Sequence, residues 1–478
     1  MRATPDPGYA PLDDSPLAEI VAEMIRDRFR YAGKAGWYRY RAGVWAECTE
    51  ADATEAVRRA MRRLHAKWIK DADADRARKL AALLSATKIR NVLSLTRGMV
   101  DIDITEFDQH PDLLNVQNGT VDLRTGQLLA HNPAHLLTKQ AGAPYDPDAN
   151  HPSWPLALQA LPADQHDWLQ IRCGQAATGY PPPDDKTIFH QGSGSNGKSG
   201  ILHALRAALG SHAVMVPERL LIASPGEHPT ELTTLMGARF ALLEELPENG
   251  RINAKRLKDT VGTPRMTARR IRQDDVTWDA THTLFVSTNP KPRFSDTDWA
   301  VWRRMVLLPY PYTFLPPGEP LEKDDHRHGV PGLRESLQDD PKIRPTVLAW
   351  IVKGAVAWYA AGKVMPPEPA GIALATAAWR ASSDQLGDWL SERVELAPGW
   401  SVLSTELFED FSEWLRRHGH TPWSDQTFTD RLKAHPTIAG EEVEKRRRTT
   451  VPHLSRRLGH GAPHQGKVTV WDGLKFQG

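Results

Sequence analysis

The chain has 478 residues, of which 40% are hydrophobic and 25% charged, with a formal net charge of +1. That size leaves room for roughly two to four domains with ample core, while the near-neutral balance excludes a chain-long polycation, so nucleic-acid binding must rest on local patches. No run of about 18 apolar residues suggests a membrane span, and two distant cysteines, Cys48 and Cys173, exclude a disulfide scaffold or cysteine-rich zinc site and fit a reducing cytoplasm.

Residues 1–15 are rich in proline and aspartate and read as a disordered lead-in without the apolar core of a signal peptide. Residues 16–150 read as a mixed N-terminal accessory domain. Leu17, Ile20, Val21 and Met24 share a helix face. Trp37 to Trp45 reads as a hairpin, and residues 51–97 as basic, alanine-rich helix whose arginines form a solvated face. Asn115 to Ala130 is turn-rich and β-like, with Asn118-Gly119 as a hairpin signal. The proline-bearing stretch 145–155 reads as a linker.

Residues 153–313 carry the chemistry. Gly192-Ser193-Gly194-Ser195-Asn196-Gly197-Lys198-Ser199 fits G-x-x-x-x-G-K-[ST], the phosphate-binding P-loop. Thr187 to His190 reads as the strand before it. Behind it, Ile201, Leu202, Leu205, Ala208 and Leu209 share one face of a helix. Glycines let backbone N–H groups curl around phosphate, and the helix N-terminus adds its dipole. In such a loop Lys198 reaches the β- and γ-phosphates of ATP and Ser199 holds Mg²⁺. Ala213 to Val216 is a further candidate strand. Arg239 to Leu243 is an apolar run ending in Glu244-Glu245, the arrangement that delivers carboxylates beside the phosphates. One carboxylate holds Mg²⁺ through water, and the other polarises the attacking water. Asn253 to Val261 reads as a helix. Met266 to Trp278 reads as a hairpin carrying Arg269, Arg270 and Arg272, either functional or a charged surface ribbon. His282 to Asn289 is an apolar strand whose tip places Asn289 to orient water or contact the γ-phosphate. Asp298 to Arg304 reads as a short helix before the strand Met305 to Leu308. Arg303-Arg304 is either a salt-bridged helix end or an arginine finger supplied across a subunit interface.

Residues 314–383 read as a helical extension, its tryptophans Trp350 and Trp358 serving the core. Residues 384–478 read as a small separate domain of three helices and a basic β-ribbon, a winged-helix-like arrangement. From Arg431 onward ten basic residues, Arg446, Arg447 and Arg448 among them, face four acidic ones, enough for phosphate contacts. His453, His460 and His464 lack the spacing of a zinc motif.

Phe189 through Ser199, Leu243-Glu244-Glu245, Thr267 to Arg270, Ser287 to Pro292 and Trp299 to Arg304 together resemble the superfamily 3 helicases of phage and plasmid primase-helicases, related to the poxvirus primase-helicase. The resemblance implies an α/β P-loop NTPase of AAA+-like type, assembled as a homo-hexamer and moving 3′ to 5′ on single-stranded DNA with ATP and Mg²⁺. It implies Lys198 and Ser199 as phosphate and metal groups, with Glu244 and Glu245 as the acidic pair and Glu244 on the metal. Asn289 becomes the sensor and Arg303 or Arg304 the finger. Arg269, Arg270 and Arg272 fall by the DNA-contacting hairpin. The stretch 16–150 lacks the carboxylate and histidine cluster of a primase, so primer synthesis falls to a separate primase or polymerase. Forked DNA is the expected substrate, in a bacterial cytoplasm and on a mobile element. A non-unwinding, ATP-regulated replication initiator is the competing reading, and a protein-remodelling ATPase a third.

Overall fold

The computed structural model describes residues 13–71, 74–222, 230–246, 251–269, 275–294, 299–420, 422–457, 459–461 and 464–477. The chain divides into two compact units, one drawing on residues up to 292 and on 303–375, the other on 293–302 and from 376 onward.

The first unit opens with helix α1 (Asp14–Ile25), strands β1 (Phe29–Tyr31), β2 (Trp37–Arg41) and β3 (Val44–Cys48), and helices α2 (Glu50–Trp68), α3 (Ala74–Ala81) and α4 (Ala86–Met99). Thr49 caps α2 in a reciprocal box with Asp52, and Ser85 caps α4. The buried face of α1 is Leu17, Ala18, Val21, Ala22 and Ile25, whereas Met24 is 40% exposed. The stripe is turned from the expected one because small alanines at 18 and 22 complete the packing face against the Val92 and Leu93 core. Arg58, Arg59, Arg62 and Arg63 are exposed on α2, and Glu55 pairs with the first two, as a solvated face requires.

Strands β4 (Leu113–Val116), β5 (Gly119–Asp122) and β6 (Gln127–Leu129) form a second antiparallel sheet. It falls inside the stretch 16–150. Its buried side chains Leu114, Val116, Val121 and Leu123 nevertheless share one core with Ile201, Leu205 and Leu209 far downstream. Gly142 donates its N–H to the Ala208 carbonyl at 2.9 Å, and a Cβ there would sit 2.0 Å from the Ala207 carbonyl oxygen.

Helices α5 (Ser153–Leu158) and α6 (His166–Ala177) lead into the central sheet. Its strands are β7 (Thr187–Gln191), β8 (Ala213–Met215), β9 (Phe240–Glu244), β13 (Thr283–Thr288) and β15 (Met305–Pro309). They lie in the order β15-β7-β13-β9-β8, every neighbour parallel. Helix α7 (Lys198–Leu209) follows β7 and buries Ile201, Leu202, Leu205, Ala208 and Leu209, the face read from the sequence. Between the strands run α8 (Arg219–Ile222), β10 (Arg251–Ile252), α9 (Ala254–Val261), the hairpin β11 (Arg265–Arg269) and β12 (Asp275–Asp279), and then β14 (Arg293–Phe294) and α10 (Trp299–Trp302). Near-continuous apolar strands such as Thr283–Thr288, buried throughout, are what a sheet covered on both faces demands. After β15 come β16 (Thr313–Leu315), its parallel partner β17 (His326–His328), α11 (Leu333–Asp339), α12 (Arg344–Ala360) and α13 (Ala370–Ala381). Two glycines let α12 and α6 touch backbone to backbone. A Cβ on Gly174 would lie 2.0 Å from the Ala355 nitrogen, and one on Gly354 2.0 Å from the Gln170 carbonyl oxygen.

The second unit runs α14 (Gln385–Arg393), β18 (Val394–Leu403), α15 (Ser404–Arg417), α16 (Asp425–Ala434), β19 (Glu444–Val451), β20 (Leu454–Arg456), β21 (Gly459–Gly461) and β22 (His464–Phe476). Its sheet has the order β19-β22-β18-β20-β21. Leu386, Trp389, Leu407, Phe411, Phe428 and Trp471 build its core. The three helices match the expected ones. Strand β18 between the first two does not appear in the sequence reading, because Pro398-Gly399 interrupts its alternation. The register with β22 slips between Leu396 and Ser401, and Gly399 takes φ +86°.

Among the described residues no helix is long and apolar enough to cross a membrane.

Candidate functional site

Parallel strands deliver their C-terminal ends to one edge, and the glycine loop lies there. It leaves β7 at Gln191 and enters α7 at Lys198. Gly194 and Gly197 have φ of +112° and +79°, and Ser195 accepts +48°, so the turn needs left-handed backbone three times. Gly192 must also be bare, because a Cβ there would meet the Asn196 amide nitrogen at 1.7 Å. The Ser195 carbonyl accepts from the Phe314 N–H at 2.7 Å, which fastens the loop from the β16 side. No side chain caps α7, so its first N–H groups face the loop hollow without a side-chain acceptor. The Asn196 amide nitrogen is likewise buried with no hydrogen-bond partner. Unmet donors around a positive helix end make a hollow suited to an anion.

Lys198 is 4% exposed. Its Nζ donates to the Thr288 carbonyl at 2.6 Å, to Asn289 Oδ1 at 2.8 Å and to the Gly192 carbonyl at 3.4 Å. The loop lysine therefore sits against the tip of β13, where the expected sensor Asn289 lies. Burial lowers the Lys198 pKa to about 8, against the opposing pull of the Glu245 charge. Below about pH 8 the ammonium persists. Between there and the ordinary 10.5 the unfolded chain keeps a proton that the folded chain has released. A phosphate needs the ammonium. Metal-free nucleotide affinity is therefore expected to fall about ten-fold between about pH 7 and pH 9. Titration of a fluorescent ATP analogue checks this, with Lys198→Ala giving a flat profile.

The acidic pair divides. Glu244 ends β9 in register with Ser287, and its Oε1 lies 3.5 Å from His203 Nε2 on α7. Glu245 takes φ +57°, which breaks strand alternation and turns it away from its neighbour. It is exposed, and its charge is the one felt at Lys198. Ser199 is exposed one helical turn before His203 on the same face of α7.

Arg303 and Arg304 lie elsewhere. Both reach Asp185, at 3.4 and 3.6 Å. They precede β15, whose Met305 pairs with Thr187, whereas the glycine loop follows Gln191 at the other end of the same strands. Five residues of strand separate the two ends by roughly 17 Å. Arg303 is 40% exposed, and Arg304 is buried with its guanidinium over Gly262.

The hairpin expected around Met266–Trp278 is present. Met266, Ala268 and Trp278 point inward, and Thr267 and Thr277 share a hydrogen bond outside. Arg269 is the last paired residue of β11, opposite Asp275, while Arg270 and Arg272 lie outside the described residues. In the second unit Arg446, Arg447 and Arg448 are exposed on the edge strand β19. Arg446 pairs with Glu444, and Arg448 with Asp472 at 2.7 Å.

The sequence reading missed His203, Thr288 and Phe314. Thr288 acts through its carbonyl and Phe314 through its N–H, which no side-chain pattern reveals. His203 carried a signal: a histidine one turn beyond Ser199 on the helix after the glycine loop.

Residues 18–160 match the family model described as "D5 N terminal like". The chain is 25% identical over 333 residues to the "Putative primase C962R" of African swine fever virus (strain Badajoz 1971 Vero-adapted), over 65% of this chain and 34% of that protein. It is 26% identical over 239 residues to the "Putative helicase 022R" of Frog virus 3 (isolate Goorha), over 48% of this chain and 24% of that one. The matches thus span about a third or less of these relatives. The A form apo structure of the NrS-1 C terminal region aligns with 96% of this chain and 100% of its own, at a TM-score of 0.45 and 9% identity. Residues 18–160 are thus similar to the D5 N terminal like family, and 65% of the chain's length is similar to a viral protein named as a primase, in company with others named as helicases.

Proposed function

We propose that the chain is an ATP-driven DNA helicase of replication, with an AAA+-like superfamily 3 core, working as a homo-hexamer on single-stranded and forked DNA. The observation that carries this reading is Lys198. A buried ammonium whose hydrogen bonds go to neutral oxygens is a cation waiting for an anion. The uncapped end of α7 and the idle Asn196 amide add donors to the same hollow, so the residues fit a nucleotide's phosphates. Ser199 and Glu244 fit the metal that accompanies ATP, as a hydroxyl and a carboxylate on the same side of α7. Mg²⁺, when bound, neutralises charge across the phosphate oxygens. Lys198 neutralises the β- and γ-phosphates, Glu245 orients and polarises the attacking water, and Asn289 holds that water or a γ-oxygen once Lys198 has let it go. Arg303 stands a full strand away from its own loop, so the phosphate it serves is a neighbour's. It is exposed where Arg304 is packed, which favours Arg303 as the finger. Arg269, Arg270 and Arg272 of the hairpin track the DNA backbone, with Arg446, Arg447 and Arg448 as further phosphate contacts.

Glu245→Gln tests the reading. It is expected to retain ATP and to lose single-strand-stimulated hydrolysis on the order of 10²-fold or more. Forked-duplex unwinding is expected to disappear with it. ATP-dependent binding of duplex without strand separation by the unaltered chain would favour the initiator instead.

A further inference from the structure

Two adjacent carboxylates at a strand tip do not by themselves say which takes the metal side and which the water side. His203 decides it. Its Nε2 faces Glu244 Oε1 at 3.5 Å, while its Nδ1 is buried with no hydrogen-bond partner. A neutral imidazole carries one N–H, and burying it unpaired costs more than directing it at a carboxylate. The proton therefore sits on Nε2, the nitrogen that faces the Glu244 carboxylate. His203 is only partly exposed, on the helix that also presents Ser199. Residues four apart on a helix stack about 5–6 Å from each other. The imidazole thus draws Glu244 along the α7 face toward Ser199. The left-handed backbone of Glu245 sends the second carboxylate to the Lys198 side.

We propose that His203 is a positioning residue that holds Glu244 on the metal side of the site, so that Glu245 alone attends the terminal phosphate. The proposal rests on the nucleotide reading of the glycine loop and assigns the roles within its acidic pair. Partners that hydrogen-bond a metal-binding carboxylate commonly change metal affinity ten-fold or more.

The test uses the full chain with His203→Ala and His203→Gln, a glutamine being able to offer Glu244 an N–H from a similar reach. Manganese affinity of the complex with a non-hydrolysable ATP analogue is read by electron paramagnetic resonance, and metal-free affinity for the same analogue by calorimetry. His203→Ala is expected to weaken manganese about ten-fold while metal-free nucleotide affinity stays within about two-fold. His203→Gln is expected to recover most of the loss. Unchanged manganese affinity in His203→Ala overturns the proposal. So does a parallel loss of metal-free nucleotide affinity, or a folded His203→Gln that fails to recover. The nucleotide reading fails separately, if the unaltered chain binds no ATP analogue at all.

Discussion

Lys198→Ala is expected to reduce ATP hydrolysis on the order of 10³-fold while leaving the protein folded and its second unit intact. Removing one preorganised charge at a phosphoryl-transfer site costs on the order of 10²–10³ in rate, and in the proposed reading this ammonium neutralises the β- and γ-phosphates. The stability side runs the opposite way. The lysine is buried, and burial depresses its pKa, so the folded state carries an unfavourable charge at neutral pH. Deleting it relieves that cost and gives up three hydrogen bonds, two of them to oxygens with an alternative, since Asn289 is exposed and the Thr288 carbonyl has a second donor in the Gly192 N–H. The melting temperature is therefore expected to hold or rise. DNA retention through residues 384–478 is expected to persist in a gel-shift measurement. Ordinary turnover in Lys198→Ala would remove the glycine loop from the account. A collapse of the fold would mean that the ammonium is a structural tie and not a ligand.

Gly174→Ala and Gly354→Ala are each expected to destabilise the first unit by about 3 kcal/mol. Both new methyl groups would land about 2 Å from main-chain atoms of the facing helix, at the Ala355 nitrogen and the Gln170 oxygen. No rotamer change clears a backbone atom, so α6 and α12 must separate. Separation strips the packing of Leu169, Cys173, Val347 and Ile351, all buried in the main core. It also stretches the Gln170 amide bond to the Trp350 carbonyl, now 3.0 Å. The two substitutions act on one gap. Once the first alanine has opened it, the second meets less resistance, and the double variant is expected to cost less than the sum. Urea denaturation of the single and double variants measures both magnitudes. Additive losses would mean that the helices bend locally instead of parting.

How much of this was legible beforehand depends on whether the cause is local. The β7–loop–α7 unit was readable because apolar runs, glycines and helix periodicity all lie within a few residues of one another. Strands β9, β13 and β15 were readable as short apolar runs with polar ends. Their spatial order is a matter of crossover connections and was not. The α6–α12 contact was illegible because a helical glycine looks only like a weak helix former, and its value appears when a second helix arrives 180 residues later in the chain, as between Gln170 and Trp350. Strand β18 was lost to its proline and glycine. In the site, residue types pointed to Lys198, Glu244, Glu245 and Asn289. The resemblance already implied Glu244 on the metal; the geometry that sets the two glutamates apart, the backbone turn at Glu245 and the contact of Glu244 with His203, lies in the fold.

The small sheet of β4, β5 and β6 has a practical consequence for dissecting the chain. A fragment cut to begin at the proline-rich stretch near residue 150 would open the core that Leu205 and Leu209 share with Leu114 and Val121. Gly142, clasped to the end of α7, would go with the discarded piece. A working fragment has to keep that clasp, with its seam placed nearer residue 108 than residue 150. Limited proteolysis that spares everything after the α4 helix would mark the same seam.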